Sequence, residues 1–186
     1  MIELTKEQLK ILLDYKNVPD DDNIRYKEII KKELINDTLL LYLLNDDEIE
    51  DPDEFLDYHI KPFYQIYDTQ YNVQNFICFE TSFRESMRFN EIVKYQQITF
   101  YVLCEHKNNI EKRTGLPRTD LIAARISDAF NWTNKFGTQC HIISDIPSVV
   151  DNYYNCRTLI FELNAPSNLV KTRNNVSRVV NYQVNG

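Results

Sequence analysis

The chain has 186 residues, a mass of 22.2 kDa and a net charge of −7, which is the wrong sign for a protein built chiefly to grip phosphate backbones. Twelve Tyr and ten Phe accompany only three glycines, Gly115, Gly137 and Gly186. Glycine-rich phosphate loops, Rossmann turns and Gly-flanked nucleophile elbows all need more glycine than that. The 43% hydrophobic and 26% charged content suits one folded domain with a sizeable core.

The first third reads as helical. Thr5 with Gln8 forms a capping-box pattern, and Leu9, Leu12 and Leu13 make one apolar face of a first helix. Residues 17–23, with Pro19 and three Asp, read as a turn. A second helix is predicted from Ile24 to about Leu34, and Leu39–Leu44 as one or two buried helical turns. An acidic block follows, including Asp46, Asp47, Glu48, Asp51, Asp53 and Glu54, and is expected as a solvated surface loop. Pro62, after Ile60 and Lys61, excludes a central strand position there.

From about Tyr71 the period changes to that of strands. Strands are predicted at Asn75–Phe83 and Ile92–His106, with a polar turn from Arg84 to Asn90 between them. Thr119 and Asp120 read as the cap of an amphipathic helix running to about Thr133, with Gly137 as its C-terminal cap. Two further strands are predicted, Gln139–Asp145 and Cys156–Leu163, joined by a linker holding Pro147 and the Tyr153-Tyr154 pair. The order gives an α+β fold: an antiparallel sheet packed on one face by helices. Its parts are an N-terminal helix and turn (1–23), a core domain (24–163) and an extended C-terminal arm (164–186).

Residues 1–163 carry a net −10, whereas the arm holds Lys171, Arg173 and Arg178 and no acid. The arm's interspersed valines leave two readings open, a frayed terminus or a strand added to a neighbouring subunit.

Metal and cofactor chemistry finds little support. Cys78, Cys104, Cys140 and Cys156 are far apart and read as buried free thiols. Cys104 and His106 share one face of a strand, but no four-ligand motif accompanies them. No cofactor and no metal are expected. One enzyme pattern is an alternative: Glu80, Glu105 and Lys107 at strand ends resemble the acid plus Glu-x-Lys arrangement of PD-(D/E)xK nucleases. There two carboxylates would hold Mg²⁺ and the lysine would steady the attacking water. Its upstream acid fits poorly, since Asp53 follows Pro52 but lies in the acidic block. A further alternative is a small acidic host-directed binding protein.

A broader pattern covers about three-quarters of the chain. An amphipathic helix from Glu28 to Leu34 leads into Leu39–Leu44, and Ile60-Lys61-Pro62 re-enters the fold. A long strand, Gln97–Val102, precedes a helix starting Arg118-Thr119-Asp120-Leu121, and Cys156–Glu162 closes the domain. This order resembles phage neck and tail-completion proteins, particularly the tail-terminator group. The chain departs from that pattern in its extra N-terminal helix, acidic insertion and basic arm.

The resemblance implies a structural virion protein, not an enzyme, assembled in the host cytoplasm. It implies a homo-oligomeric ring that ends the tail tube or joins it to the head, with other neck and tail proteins as partners. DNA would pass through without specific binding, helped by negative charge on the ring wall. The candidate subunit interface is Tyr153, Tyr154, Lys171, Arg173, Arg178 and Val179, with the cationic arm expected to reach the acidic block of the next copy. No stretch approaches the roughly 18 to 20 apolar residues that span a bilayer, and no signal peptide is read at Met1–Glu7, so no membrane contact is expected.

Overall fold

The computed structural model describes residues 4–14, 22–44, 49–65, 75–84, 93–166, 169–171 and 177–179. Of the turns predicted at 17–23 and 84–90, residues 17–21 and 85–90 lie outside the described residues, as do the acids Asp46, Asp47 and Glu48, while Asp22 and Asn23 are helical and Arg84 ends a strand.

Five strands form one sheet: β1 (Ile60–Lys61), β2 (Asn75–Arg84), β3 (Val93–Glu105), β4 (Cys140–Val150) and β5 (Tyr154–Pro166). Their spatial order is β1-β2-β3-β5-β4. The pairings β2–β3, β3–β5 and β4–β5 are antiparallel, as the hairpin reading expects. The exception is β1, which runs parallel to β2 with Ile60 opposite Ile77. A separate two-stranded pair, β6 (Leu169–Lys171) and β7 (Ser177–Val179), follows.

Alternation along the strands sorts the side chains onto two faces. Ile77, Phe79, Ile98, Phe100, Val102, Leu159 and Phe161 point to one face and are fully buried. Three helices cover it: α2 (Asp22–Ile35), α3 (Thr38–Leu44) and α5 (Arg118–Phe130). Their inward residues recur at helical spacing, as in Tyr26, Ile30 and Leu34 or Ile122, Ile126 and Phe130. Phe100 is the hub, with ring centroids 5.4 Å from Phe130, 5.6 Å from Phe161 and 6.0 Å from Phe79. The opposite face buries Phe76, Cys78, Leu103 and Cys156. Residues at the end of β1 cross it: Gln65 bonds Cys78 through its amide and its carbonyl, and the Tyr64 ring packs 4.7 Å from Tyr101.

The helix termini are satisfied by groups distant in sequence. Asp37 caps α3 by accepting from the amides of Leu39 and Leu40. At the other end of α3, Leu43 O accepts from buried Arg118 and Leu44 O from Asn75. Helix α5 begins at Arg118, and its cap is not made by Thr119 or Asp120. Asn109 supplies it from across the loop, through its carbonyl to Arg118 N and its side chain to Thr119 N. The helix ends at Phe130, so Gly137 closes a later turn instead of capping it.

Two other expectations change. The capping box of α1 (Lys6–Asp14) forms, with Thr5 and Gln8 exchanging bonds of 2.9 and 3.2 Å. Its apolar face does not join the core: Leu9, Leu12 and Leu13 are all exposed, since α2, α3 and α5 already occupy the helical side of the sheet. Within the acidic block, Asp51 caps a short 3-10 turn, and α4 (Phe55–Tyr58) follows with Phe55 buried. Asp51, Asp53 and Glu54 are exposed on it.

Candidate functional site

The Glu-x-Lys pattern does not assemble. Glu80 pairs with Thr99 across the ladder, and Glu105 lies six positions further along β3. At about 3.3 Å per residue the two carboxylates stand roughly 20 Å apart along one face. Glu105 accepts from Asn108 at 2.9 Å, and Lys107 sits exposed on a 3-10 turn. Among the described residues no three His, Cys, Asp or Glu side chains group around a metal position. Cys104 is buried, while His106 lies past the strand end and points to solvent. Burial pushes the thiol of Cys78 up to about 11 and that of Cys140 up to about 12.

A shallow groove of about 390 Å³ lies between α2, α3 and α5, lined by Glu33, Asp37, Arg125, Asp128 and Lys135. Arg125 pairs with Asp37 at 2.8 Å and Asp128 at 3.2 Å, and Lys135 pairs with Glu33. The Arg125–Asp37 pair ties α5 to the start of α3 and the Lys135–Glu33 pair ties the segment after α5 to α2, whereas Arg125–Asp128 lies within α5.

The loop from β3 to α5 is built around Glu111. Its buried carboxylate accepts from the amides of Arg113 (3.0 Å) and Thr114 (2.7 Å) and from the Tyr42 hydroxyl (2.9 Å). The Arg113 amide bond, then Thr114 and Tyr42, pull the carboxyl down to about 2. Gly115, at φ 71°, takes a left-handed turn position that a Cβ disfavours.

The outer side of β4 is unpaired over most of its length among the described residues. The strand continues through Ile146 and Pro147 to Val150, where a linker was expected, and Pro147 is tolerated because β4 is an edge. Asp151 and Asn152 close the hairpin with φ of 49° and 57°, a conformation that short polar side chains tolerate. The Tyr pair is split by this turn. Tyr153 is 55% exposed, whereas Tyr154 is buried edge-on against Phe76 and is no surface contact. Arg157 on β5 holds β4 in place, with a bidentate pair to Asp145 (2.6 and 2.9 Å) and a bond to Asp120 of α5.

At its start β4 is covered. Thr133 bridges Cys140, and Asn131 accepts from Ile142 N at 3.0 Å. The register then shifts between Ile142 and Ser144. Beyond that bulge no described residue pairs with the outer edge. Ile143, Ile146 and Val149 are exposed along it.

Trp132 sits at the boundary between covered and open edge. It is the chain's single Trp, 66% exposed, at φ 58°. Such a φ is an outlier for a bulky residue and costs about 1–3 kcal/mol. Its neighbours impose it: Trp132 N donates to Cys140 O at 2.7 Å, and the Thr133 hydroxyl holds Phe130 O at 2.8 Å. The indole is thereby turned outward, stacked on the His141 ring at 5.8 Å.

Of the other interface candidates, Lys171 lies in β6, and Arg178 and Val179 lie in β7. Arg173 is outside the described residues, and none of these four side chains is described.

Comparison with known proteins supplies one decisive match. The YomW family model aligns with residues 7–163. The chain belongs to the YomW family. It is therefore a phage protein. A search of curated proteins finds no match. The YomW match opens inside α1 and closes at Leu163 in β5, so it contains the whole open stretch of β4 and stops before the cationic segment 164–186. No helix among the described residues of this YomW-family chain is long and apolar enough to cross a membrane.

Proposed function

We propose that this YomW-family chain is a structural virion protein of a phage neck or tail. It forms a ring that terminates the tail tube or joins it to the head. The observation that carries this reading is the unlikeness of the two sheet edges. A body with one long edge that carries exposed apolar residues and is unpaired among the described residues, and one edge only two residues long, is suited to head-to-tail contact, and head-to-tail contacts close into rings when the rotation allows. The phage origin of the family, the order of elements and the acidic body support the same reading. Its partners would be further copies of itself and neighbouring neck or tail proteins.

Antibody labelling of purified parent particles under the electron microscope tests it. Label at the head–tail junction is expected. Particles free of the protein would overturn the reading and favour a host-directed binding protein that acts outside the virion.

A further inference from the structure

The open stretch of β4 has a chemistry that selects its occupant. Its backbone donors and acceptors face outward with no protein partner among the described residues, which is how a sheet accepts another strand. Ile146 and Val149 border it, 54% and 58% exposed. Trp132 is held outward at one end and Tyr153 stands exposed at the other. Exposed aromatics of this kind become anchors when a partner buries them, and such anchors dominate binding energy at interfaces. The charge along it is mildly acidic. β4 contains no Lys or Arg, Asp151 lies in the hairpin turn, and Arg157 is shared between two carboxylates, Asp145 and Asp120.

One segment of the chain complements all three properties. From Val176 the sequence places Val176, Arg178, Val180, Tyr182 and Val184 at alternate positions, the period of a strand with one apolar face. It includes a cation, and the whole of residues 164–186 carries no acid. Within one copy the described pieces of this segment, β6 and β7, pair with each other and not with β4.

We propose that the edge of β4 from Ile143 to Val150, anchored by Trp132, receives the C-terminal segment of a second copy of this chain as an added strand. This deepens the assembly reading above and rests on it.

The test is a labelled peptide of residues 164–186 titrated into the full-length chain. Saturable binding is expected, weakening as salt rises because the peptide carries three cations. Trp132, the chain's single Trp, should shift its emission to shorter wavelength on binding, since the peptide contains none. Ile146→Lys should cut affinity at least tenfold while leaving the circular dichroism spectrum unchanged, because Ile146 is exposed. Tyr153→Ser gives a second variant at the far end of the edge, with a smaller loss. An absent interaction, or binding that moves neither Trp132 nor responds to Ile146→Lys, would overturn the proposal. That failure leaves the ring reading standing, because particle labelling tests it separately.

Discussion

The two edges of the sheet solve the same problem in opposite ways. At one side β1 is two residues long, is stopped by Pro62 and follows directly in sequence on a segment with exposed Asp51, Asp53, Glu54 and Asp57. Shortness, proline and charge are the usual means by which a sheet refuses further strands. At the other side β4 runs for eleven residues, and exposed Ile143, Ile146 and Val149 mark the part that no described residue pairs with. Its protective features are Pro147, the bulge after Ile142 and the bridge from Thr133. The contrast teaches that exposure of β4 is selective: its first three residues are covered and its last eight are left open.

Both edges depend on the sheet between them, so the largest effect comes from its centre. Phe100→Ala removes the ring that touches Phe79, Phe130 and Phe161. A loss of about 3–5 kcal/mol in unfolding free energy is expected by denaturant titration. It should weaken both edges together, because both hang on the sheet that this ring supports. A stability change below about 1 kcal/mol would mean that the two layers do not meet where described.

A narrower change acts on β4 alone. Pro147→Val restores a backbone N–H and a strand-favouring side chain to an exposed position. Folding stability should change by about 0.5 kcal/mol or less, while self-association measured by sedimentation increases several-fold. Unchanged association would show that Pro147 does not limit the edge.

The smallest effect lies away from both edges. Glu111 titrates at about 2 in the folded chain, against an ordinary value of 4.5. A depressed carboxyl stabilises the fold above its unfolded pKa, and that contribution is lost as pH falls from about 4.5 toward 2. Hydrogen exchange should therefore show the 109–117 loop opening over that window, with Glu111→Gln flattening the dependence. Equal acid sensitivity in the variant would assign the effect to another carboxylate.

Much of the fold is written locally and was legible. The Thr5–Gln8 box spans three residues, β2 and β3 show their period within themselves, and the α2 and α3 patterns repeat on one face. What escaped depends on distant partners. Pro147 reads as a breaker until the topology makes β4 an edge. The cap of α5 comes from Asn109, ten positions before Thr119, and no local pattern announces it. The left-handed Trp132 lies in a stretch of ordinary helix-compatible residues, so its strain follows from the bonds that Cys140 and Phe130 make around it. Tyr153 and Tyr154 look equivalent in sequence, and only the turn at Asp151-Asn152 sends one outward and the other inward. Glu80 and Glu105 look like neighbours at strand ends, but the antiparallel register puts Glu80 in the middle of β2, opposite Thr99 and six positions along the sheet from Glu105.

The four cysteines carry a consequence for where such a protein can persist. All four thiols are free and buried, and burial pushes each of them up. The reactive species is the thiolate, which these sites disfavour by sealing sulfur away from water and bases. The fold neither needs a disulfide nor presents a thiol to an oxidant. A chain made in a reducing cytoplasm can therefore pass into an oxidising exterior with the same covalent structure.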